Sequence, residues 1–515
     1  MRPSDTAAAT RLAARGATKG SSAGSPGRVG VVDIGSNTVR LVVYDAPLRL
    51  PVPIYNEKTS CRLAKGLEAS GRLNVDGADE AMRSLARFTR LADAMGVERL
   101  ELVATAAVRD ASDGQDFVKR IEKAFAMPVT VLSGPEEARM AALGLLSGVP
   151  DADGMLADLG GGSLDLARLE RGKFADFATV PLGHLRLSEA AHGRRDEAAE
   201  VVAERLSSVP WLGAVKGRTF YGVGGAWRTL ARVFIDQTKY PLHVVDGFTL
   251  GADEAWRLAH LVGHLGAASL KRITGVPRAR AATLPYAALV LEYLLAASRA
   301  KELVFSSFGM REGRLLEALP EAVRRQDPLI AGATGMAERT GRFPVDADGI
   351  MAWLEPVLRD ADEGGRGDDD RRLALAATLL SDIGWDEHPD YRAEHAYLRA
   401  LRLPFAGLSH ADRVFIALAI FVRYNGEPAN PLVTPVKRLL DDDRRVRARS
   451  IGLALRLAHT LTGSAPGLLG RTRLAVSGKR LLLKIPAEGE MFQSETVERR
   501  LRTLARSLGL KGKIG

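Results

Sequence analysis

Cysteine is almost missing from this chain: Cys61 is the only one in 515 residues. A single thiol excludes a disulfide framework and fits a reducing compartment, so a cytoplasmic location is expected. No uninterrupted apolar run approaches the roughly 20 residues of a membrane-spanning helix, and no membrane partner is expected. Residues 1–27 lack both periodicity and the apolar core of a secretory signal, and read as a disordered tail. Their arginine-rich, acid-poor composition also suits a transit peptide. What is present is a hydrophobic fraction of 46%, ample for several folded domains, and a net charge of +10. The basic excess implies an anionic partner. Polyphosphate, nucleic acid and acidic lipid all qualify on charge alone.

The stretch VVDIGSNTVRLVVYD at 31–45 runs from an apolar strand into Asp33, then through Gly35, Ser36, Asn37 and Thr38 into a second apolar strand. This is a β-hairpin whose tip offers close backbone approach and several donors, suited to an anion. MLADLGGGSLDL at 155–166 repeats the design, with Asp158 ahead of Gly160, Gly161, Gly162 and Ser163. Two such hairpins suggest a duplicated domain that grips a phosphate between its halves. A third turn, FYGVGGAWRTL, places Gly224 and Gly225 between a strand and the start of a helix, where N–H groups face a ligand.

Between these turns, Arg62–Leu73 reads as a basic loop and Asp76–Ala94 as a helix. Leu100–Ala107 reads as a strand with Arg109 just beyond it, Asp113–Phe125 as a helix and Val129–Ser133 as a strand. SGPEEAR then opens a helix with Glu136 and Glu137. Acids in a first turn favour the helix dipole, so both have a structural reading, and one can instead hold a water beside a phosphate. Asp158 suits a hard cation, whereas Asp165 reads as a turn or surface acid. Arg186 is assigned to the path of a polyanion, with Arg62 in the basic loop a further phosphate contact. His184 has no partner histidine and reads as structural. Val276–Ala297 reads as one long helix, with Arg278 facing the cleft.

These segments resemble the exopolyphosphatase and guanosine pentaphosphate phosphohydrolase family, a branch of the actin-like ATPase fold. The resemblance rests on DIGSNTVRL, ATAAVRDA, SGPEEA, DLGGGSLDL, PLGHLRLSE, GVGGAWRTL and FGMREG, and runs from about Gly30 to Leu319. It implies an α/β fold of two actin-like halves, at 28–140 and 141–319, followed by a helical HD-like domain at 320–466 and a small α+β cap at 467–515. It makes Arg109 a phosphate clamp and Glu137 the catalytic glutamate, ionised at neutral pH if its pKa is near the ordinary ~4.3. Asp158 and Asp33 become ligands of magnesium or manganese. In the HD-like domain, Ser381-Asp382 stands where active relatives carry a metal-binding His-Asp pair, so the metal site is expected to be degenerate. His410 and Asp412 read as surface residues, Asp360–Arg372 as a mobile loop, and the Arg444–Leu461 helix as a solvated basic face.

The expected reaction is hydrolysis of the terminal phosphoanhydride of linear polyphosphate, with guanosine pentaphosphate as the alternative substrate. A homodimer without specific nucleic-acid binding is expected from the same resemblance. A kinase of this fold would need a second-substrate pocket, and a pure polyphosphate-binding scaffold would have no use for Glu137.

Overall fold

The computed structural model describes residues 27–45, 48–359 and 367–515. The tail read at 1–27 lies, apart from Gly27, outside the described residues. The chain divides into two compact units between Arg325 and Gln326.

The first unit contains two sheets of one plan. In the first, β1 (Val29–Ile34), β2 (Thr38–Tyr44) and β3 (Pro53–Ser60) form an antiparallel meander, and β4 (Arg99–Ala104) and β5 (Val129–Val131) add in parallel beyond β1. In the second, β6 (Gly154–Leu159), β7 (Leu164–Glu170) and β8 (Lys173–Val180) repeat the meander. There β9 (Thr219–Val223) and β11 (Glu302–Phe305) add in parallel beyond β6, and β10 (Thr249–Gly251) closes the edge. The duplication expected from the hairpins is therefore present in the strand order. Residues of β1 and β6 are buried almost throughout, as central strands covered on both faces must be. One core gathers Phe88 and Phe125 against the first sheet; another gathers Phe220, Trp227, Phe234 and Phe305 against the second.

The helices Gly134–Gly148 and Met310–Glu317 join the two lobes. Ala141 and Leu145 of the former pack with Leu156 and Tyr221 of the second sheet, while Met140 and Leu315 pack with Val31 and Val103 of the first. The division expected at 140/141 thus falls inside a helix that serves both sheets. Their approach is so close that a Cβ on Gly144 would lie 2.0 Å from the Gly309 oxygen, and one on Gly313 would lie 1.9 Å from the Met140 oxygen.

Three local expectations are corrected. The strand read within Leu100–Ala107 as ending in Thr105 stops at Ala104, and a short helix, Ala106–Asp110, carries Arg109. The long helix read over Val276–Ala297 is broken: Arg278–Arg280 is a 3-10 turn, and the α-helix runs from Leu284 to Ser298 with Pro285 in its first turn, where a missing N–H costs nothing. Residues 360–366 of the expected mobile loop lie outside the described residues, but Arg371 and Arg372 belong to the helix Gly367–Leu379, whose first turn is acidic.

The second unit is helical, with the helices Gly367–Leu379, His410–Arg423 and Asp442–Thr462 among its core elements. It ends in a three-stranded sheet of β12 (Arg473–Ser477), β13 (Arg480–Lys484) and β14 (Lys511–Ile514), backed by the helix Glu495–Ser507. β14, which sequence reading missed, pairs in parallel with β13. The Asp442–Thr462 helix is less solvated than expected: Arg444 and Arg447 pair with buried Asp370. Likewise, His410 is buried, and Asp412 accepts from the Ser409 N–H in the capping box of its helix and from Arg444 at 2.7 Å. No described helix is long and apolar enough to cross a membrane.

Gly313→Ala should destabilise the first unit by about 2–3 kcal/mol, because the added methyl meets backbone rather than a side chain that can turn away. Chemical denaturation monitored by tryptophan fluorescence reads this. Unchanged stability would show that the two joining helices separate at little cost.

Candidate active site

The glycine tips of the two hairpins meet. A Cβ on Gly162 would lie 2.6 Å from Ser36 Oγ, and one on Gly161 would lie 3.4 Å from the Ser36 Cβ and 3.6 Å from the Asn37 Cβ. Gly35 and Gly160 close the two turns by donating to Thr38 O and Ser163 O, both at 3.0 Å. Gly183 abuts Gly161, and the third turn joins them: Gly224, at φ 108°, would carry a Cβ 2.9 Å from Asp158 Oδ1. Here only glycine tolerates both the backbone angle and the approach. Asp33, Ser36, Asn37, Asp158, Gly161, Gly162 and Gly224 are thereby brought together from three distant segments.

Glu136 and Glu137 separate cleanly. Ser133 caps the helix in a capping box, its N–H donating to Glu136 Oε2 at 2.8 Å, which holds Glu136 outward. Glu137, one residue on, turns into the cleft and receives Arg109 Nη1 at 2.8 Å. Burial pushes its carboxyl up to about 7, against the pull of Arg109 and with further upward pressure from Asp158 and Asp33. The expectation of an ordinary, fully ionised glutamate is therefore corrected. Asp165 is no surface acid: it is 3% exposed and accepts from Ser163 Oγ at 3.1 Å and Thr179 Oγ1 at 2.9 Å. Burial raises its carboxyl well above the usual range, and Glu137 and Asp158 raise it further.

Asp158 accepts no hydrogen bond among the described residues, and burial lifts it to about 6, with Arg228 pulling the other way. Asp33 is likewise raised by burial and offset by Arg311, whose Nη1 lies 3.4 Å away. No cluster of three metal-ligating side chains exists among the described residues. Two partly exposed carboxylates still suit magnesium, which keeps waters and takes further oxygens from phosphate.

A band of cations that sequence reading missed follows these carboxylates. Arg40 faces Asp33 across the β1–β2 register, and Lys58 faces Arg40 across β2–β3. The second lobe adds Arg228 and Arg232 from one helix, Arg280 from the 3-10 turn, and Arg311. Burial, then repulsion from Arg311 and Arg228, lowers Arg40 to about 10. Burial, then Arg228 and Arg232, does the same to Arg280. Lys58 is lowered by burial and by Arg280, Arg40, Arg228 and Arg232. The sequence did carry a signal, a lone arginine in an otherwise apolar strand at 40. The arginine expected at the cleft, Arg278, is exposed, and Arg280 takes its place against Gly225 and Thr229.

Other candidate residues lie differently from expectation. Arg62 is exposed, at φ 54°; its N–H donates to Asn37 O at 3.0 Å, so it is the backbone that joins the loop. Arg186 is committed to carboxylates, 3.1 Å from Glu68 and 2.9 Å from Asp110, and is not free for a polyanion. His184 is buried, its imidazole pushed down to about 3 by desolvation. In the second unit, Asp382 is gripped by Arg342 at 2.7 Å and Arg423 at 3.0 Å, while Ser381 Oγ lies 2.8 Å from His459 Nε2. Two guanidiniums occupy the carboxylate that a metal would need. Finally, one face of the terminal sheet carries Arg473, Lys484, Arg480, Lys511 and Lys513 in register, and Lys479, Arg480, Lys511 and Lys513 line a groove of about 500 Å³.

Strand order and paired hairpins define the class: a two-lobed α/β protein of the actin-like fold with a helical C-terminal region. Residues 42–322 match the Ppx/GppA phosphatase family and residues 330–514 the exopolyphosphatase C-terminal domain. The chain belongs to the Ppx/GppA phosphatase family. It is 28% identical over 314 residues to Exopolyphosphatase 1 of Mycobacterium tuberculosis, covering 57% of this chain and 88% of that protein. It is 23% identical over 438 residues to Retrograde regulation protein 2 of Saccharomyces cerevisiae, covering 77% and 72%. The crystal structure of an exopolyphosphatase from Cytophaga hutchinsonii shares the fold, with a TM-score of 0.50 and 24% identity over 56% of this chain and 96% of that one.

Asp382→Ala should cost about 3 kcal/mol, because it strands Arg423 in a buried site while Arg342 can turn to solvent. In an Asp33→Asn, Asp158→Asn variant, which lacks the cleft carboxylates, a chelator should leave the thermal stability unchanged. A drop in melting temperature with chelator alone, recovered by added metal, would contradict the ion-pair reading of this site.

Proposed function

We propose that this chain is an exopolyphosphatase that hydrolyses the terminal phosphoanhydride of linear polyphosphate and releases orthophosphate. The observation that carries the choice of substrate is the cation band Arg40, Lys58, Arg228, Arg232, Arg280 and Arg311. Its members repel one another in the absence of a ligand and run on from Asp33 and Asp158. A row of phosphates is the anion of matching length and charge density. The names of the mycobacterial and Cytophaga relatives point the same way. Guanosine pentaphosphate presents the same terminal bond and belongs to the same family, so the first test is phosphate release from long-chain polyphosphate and from pentaphosphate, side by side, with magnesium. Faster turnover of pentaphosphate would reverse the assignment. The single thiol, Cys61, is buried and suits a reducing cytoplasm. A homodimer is part of the same reading and rests on family resemblance alone.

In this reading the terminal phosphoryl group lies on the donors of Ser36, Asn37, Thr38 and Gly161 to Ser163, with Gly160, Gly35 and Gly225 shaping the turns. Asp158 and Asp33 would hold magnesium or manganese, which when bound neutralises charge on the phosphoryl oxygens. Glu137 accepts a proton from the attacking water as oxygen bonds to phosphorus. The bridging oxygen leaves with the shortened chain, its charge balanced by the cation band. A base near pH 7 is well matched to this transfer, and Arg109 holds it in place.

Glu137→Gln should lower kcat by about 10²–10⁴ while leaving the affinity for polyphosphate within a few-fold. Because the carboxyl works deprotonated and its proton leaves near pH 7, kcat/KM should rise with pH through that region. Arg109→Met removes a charge that favours the ionised form, and so should move this limb to higher pH. A flat profile between pH 6 and 8, with chemistry rate-limiting, would count against Glu137 as the base.

Lys58→Ala should raise KM for long chains and flatten its salt dependence, by roughly 0.7 in log–log slope if one phosphate contact is lost, by analogy with single-stranded nucleic acid. Lys511→Ala with Lys513→Ala tests the terminal sheet in the same assay. Unaltered slopes in both would assign these cations to solvated surface.

A further inference from the structure

At one end of the cleft the two lobes are clasped by side chains the proposed chemistry does not use. Arg186, 11% exposed, lies on the helix His184–Ala190 of the second lobe. It reaches Glu68 Oε2 at 3.1 Å and donates to Asp110 Oδ2 at 2.9 Å, both in the first lobe. Arg205 of the second lobe also meets Glu68, at 3.3 Å, and the Gly66 N–H donates to Glu189 at 3.4 Å.

The clasp is continuous with the chemistry. Asp110 accepts from Arg109 Nε at 3.2 Å, and Arg109 holds Glu137 at 2.8 Å. An unbroken file of opposite charges therefore runs Glu68, Arg186, Asp110, Arg109, Glu137. Beyond Glu137 lie the carboxylates Asp158 and Asp33; Arg311 is 3.4 Å from Asp33, Arg40 faces Asp33 in the β1–β2 register, and Lys58 faces Arg40 in the β2–β3 register. The two ends of the site are thus unlike. One is cationic, its guanidiniums answered only in part by Asp33, Asp158 and Glu312. The other is closed by an arginine already saturated with carboxylates, beside the further acids Glu68 and Glu189.

Resting on the exopolyphosphatase reading above, we infer that the Arg186–Glu68–Asp110 clasp is the end-stop of the cleft and the reason that cleavage is confined to the chain terminus. A phosphate chain enters from the cationic end and halts with its last phosphoryl group at Arg109 and Glu137. To slide further, and so present an internal bond, it would have to strip Arg186 from two carboxylates and then lie along Glu68, Asp110 and Glu189, which repel it. Arg186 is in this view a specificity-determining residue that acts through the clasp and does not bind the scissile phosphate.

The test uses linear polyphosphate with both terminal phosphates capped as amides of a small amine. The full-length wild-type protein should release phosphate from uncapped chains and leave capped chains intact. Arg186→Gln opens the clasp, and Glu68→Gln, at a partly exposed acid, weakens it with less risk to folding. Both should cut capped chains at least roughly tenfold faster than wild type, with new terminal phosphates visible by ³¹P NMR, and Arg186→Lys should recover much of the wild-type behaviour. If folded variants hydrolyse uncapped chains yet leave capped ones untouched, the end-stop is refuted while the exopolyphosphatase reading stands. Cleavage of capped chains by the wild type also refutes it. Failure of the wild type on uncapped chains defeats the functional reading itself.

Discussion

Withholding carboxylates from water while surrounding them with guanidiniums is the constraint on which the first unit depends. Asp33, Glu137, Asp158 and Asp165 are all raised by burial, and each is relieved only in part: Arg109 answers Glu137, Arg311 answers Asp33, and Arg228 answers Asp158. Removing charges from water is costly unless partners compensate fully. Compensation here is graded. It is direct but incomplete for the carboxylates, as at the Arg109–Glu137 pair, and weaker among Arg40, Arg280 and Lys58, whose pKa values burial and then one another push down. An anionic ligand beside the second group and a cation beside the first would lower the energy of both, so the unliganded fold holds its binding energy as unpaired charge.

Such an arrangement persists only if the surrounding backbone cannot relax. The glycines supply that rigidity by allowing main chains to touch where side chains would hold them apart. Gly161 and Gly162 sit on Ser36, and Gly224 lets its turn reach Asp158. Gly144 and Gly313 lock together the two helices that share both sheets. The helix carrying Glu137 is thus fixed against the second lobe by close contact, while Arg109, on the first, meets its side chain.

The parts of this site that were legible in the sequence are those whose chemistry is local. Asp33 with Ser36 and Asn37, and Asp158 with Gly161 and Ser163, lie within a few residues of each other in hairpins that strand alternation and turn chemistry define. Glu137 was legible only through family resemblance, since Glu136 has the same local credentials; what separates them is the Ser133 capping box, which employs Glu136 and leaves its neighbour free. The cation band was not legible because its members come from β2, β3, a helix, a 3-10 turn and a second helix, and meet only through cross-strand register and lobe packing. Arg186 was misassigned for a related reason: sequence shows a basic side chain near a phosphate loop, but not the two carboxylates from another lobe that already occupy it. Asp165 looked peripheral because β7 alternation alone does not reveal that β8 supplies Thr179 to it.

The second unit shows the same electrostatic problem solved in the opposite way. Asp382 is buried more completely than Asp33, Glu137 or Asp158, but two arginines satisfy it directly, and His459 is kept neutral by burial and by Arg423 and Arg342. A cation brought there would have to displace both guanidiniums and would gain only one carboxylate, with Ser381 in place of a nitrogen ligand. In the first unit Asp158 keeps oxygens that accept no hydrogen bond among the described residues. Whether a buried carboxylate belongs to a binding site or to the scaffold is therefore decided by what already answers its charge. Residue type and spacing, which are all that a His-Asp or Ser-Asp pair in a sequence can display, do not decide it.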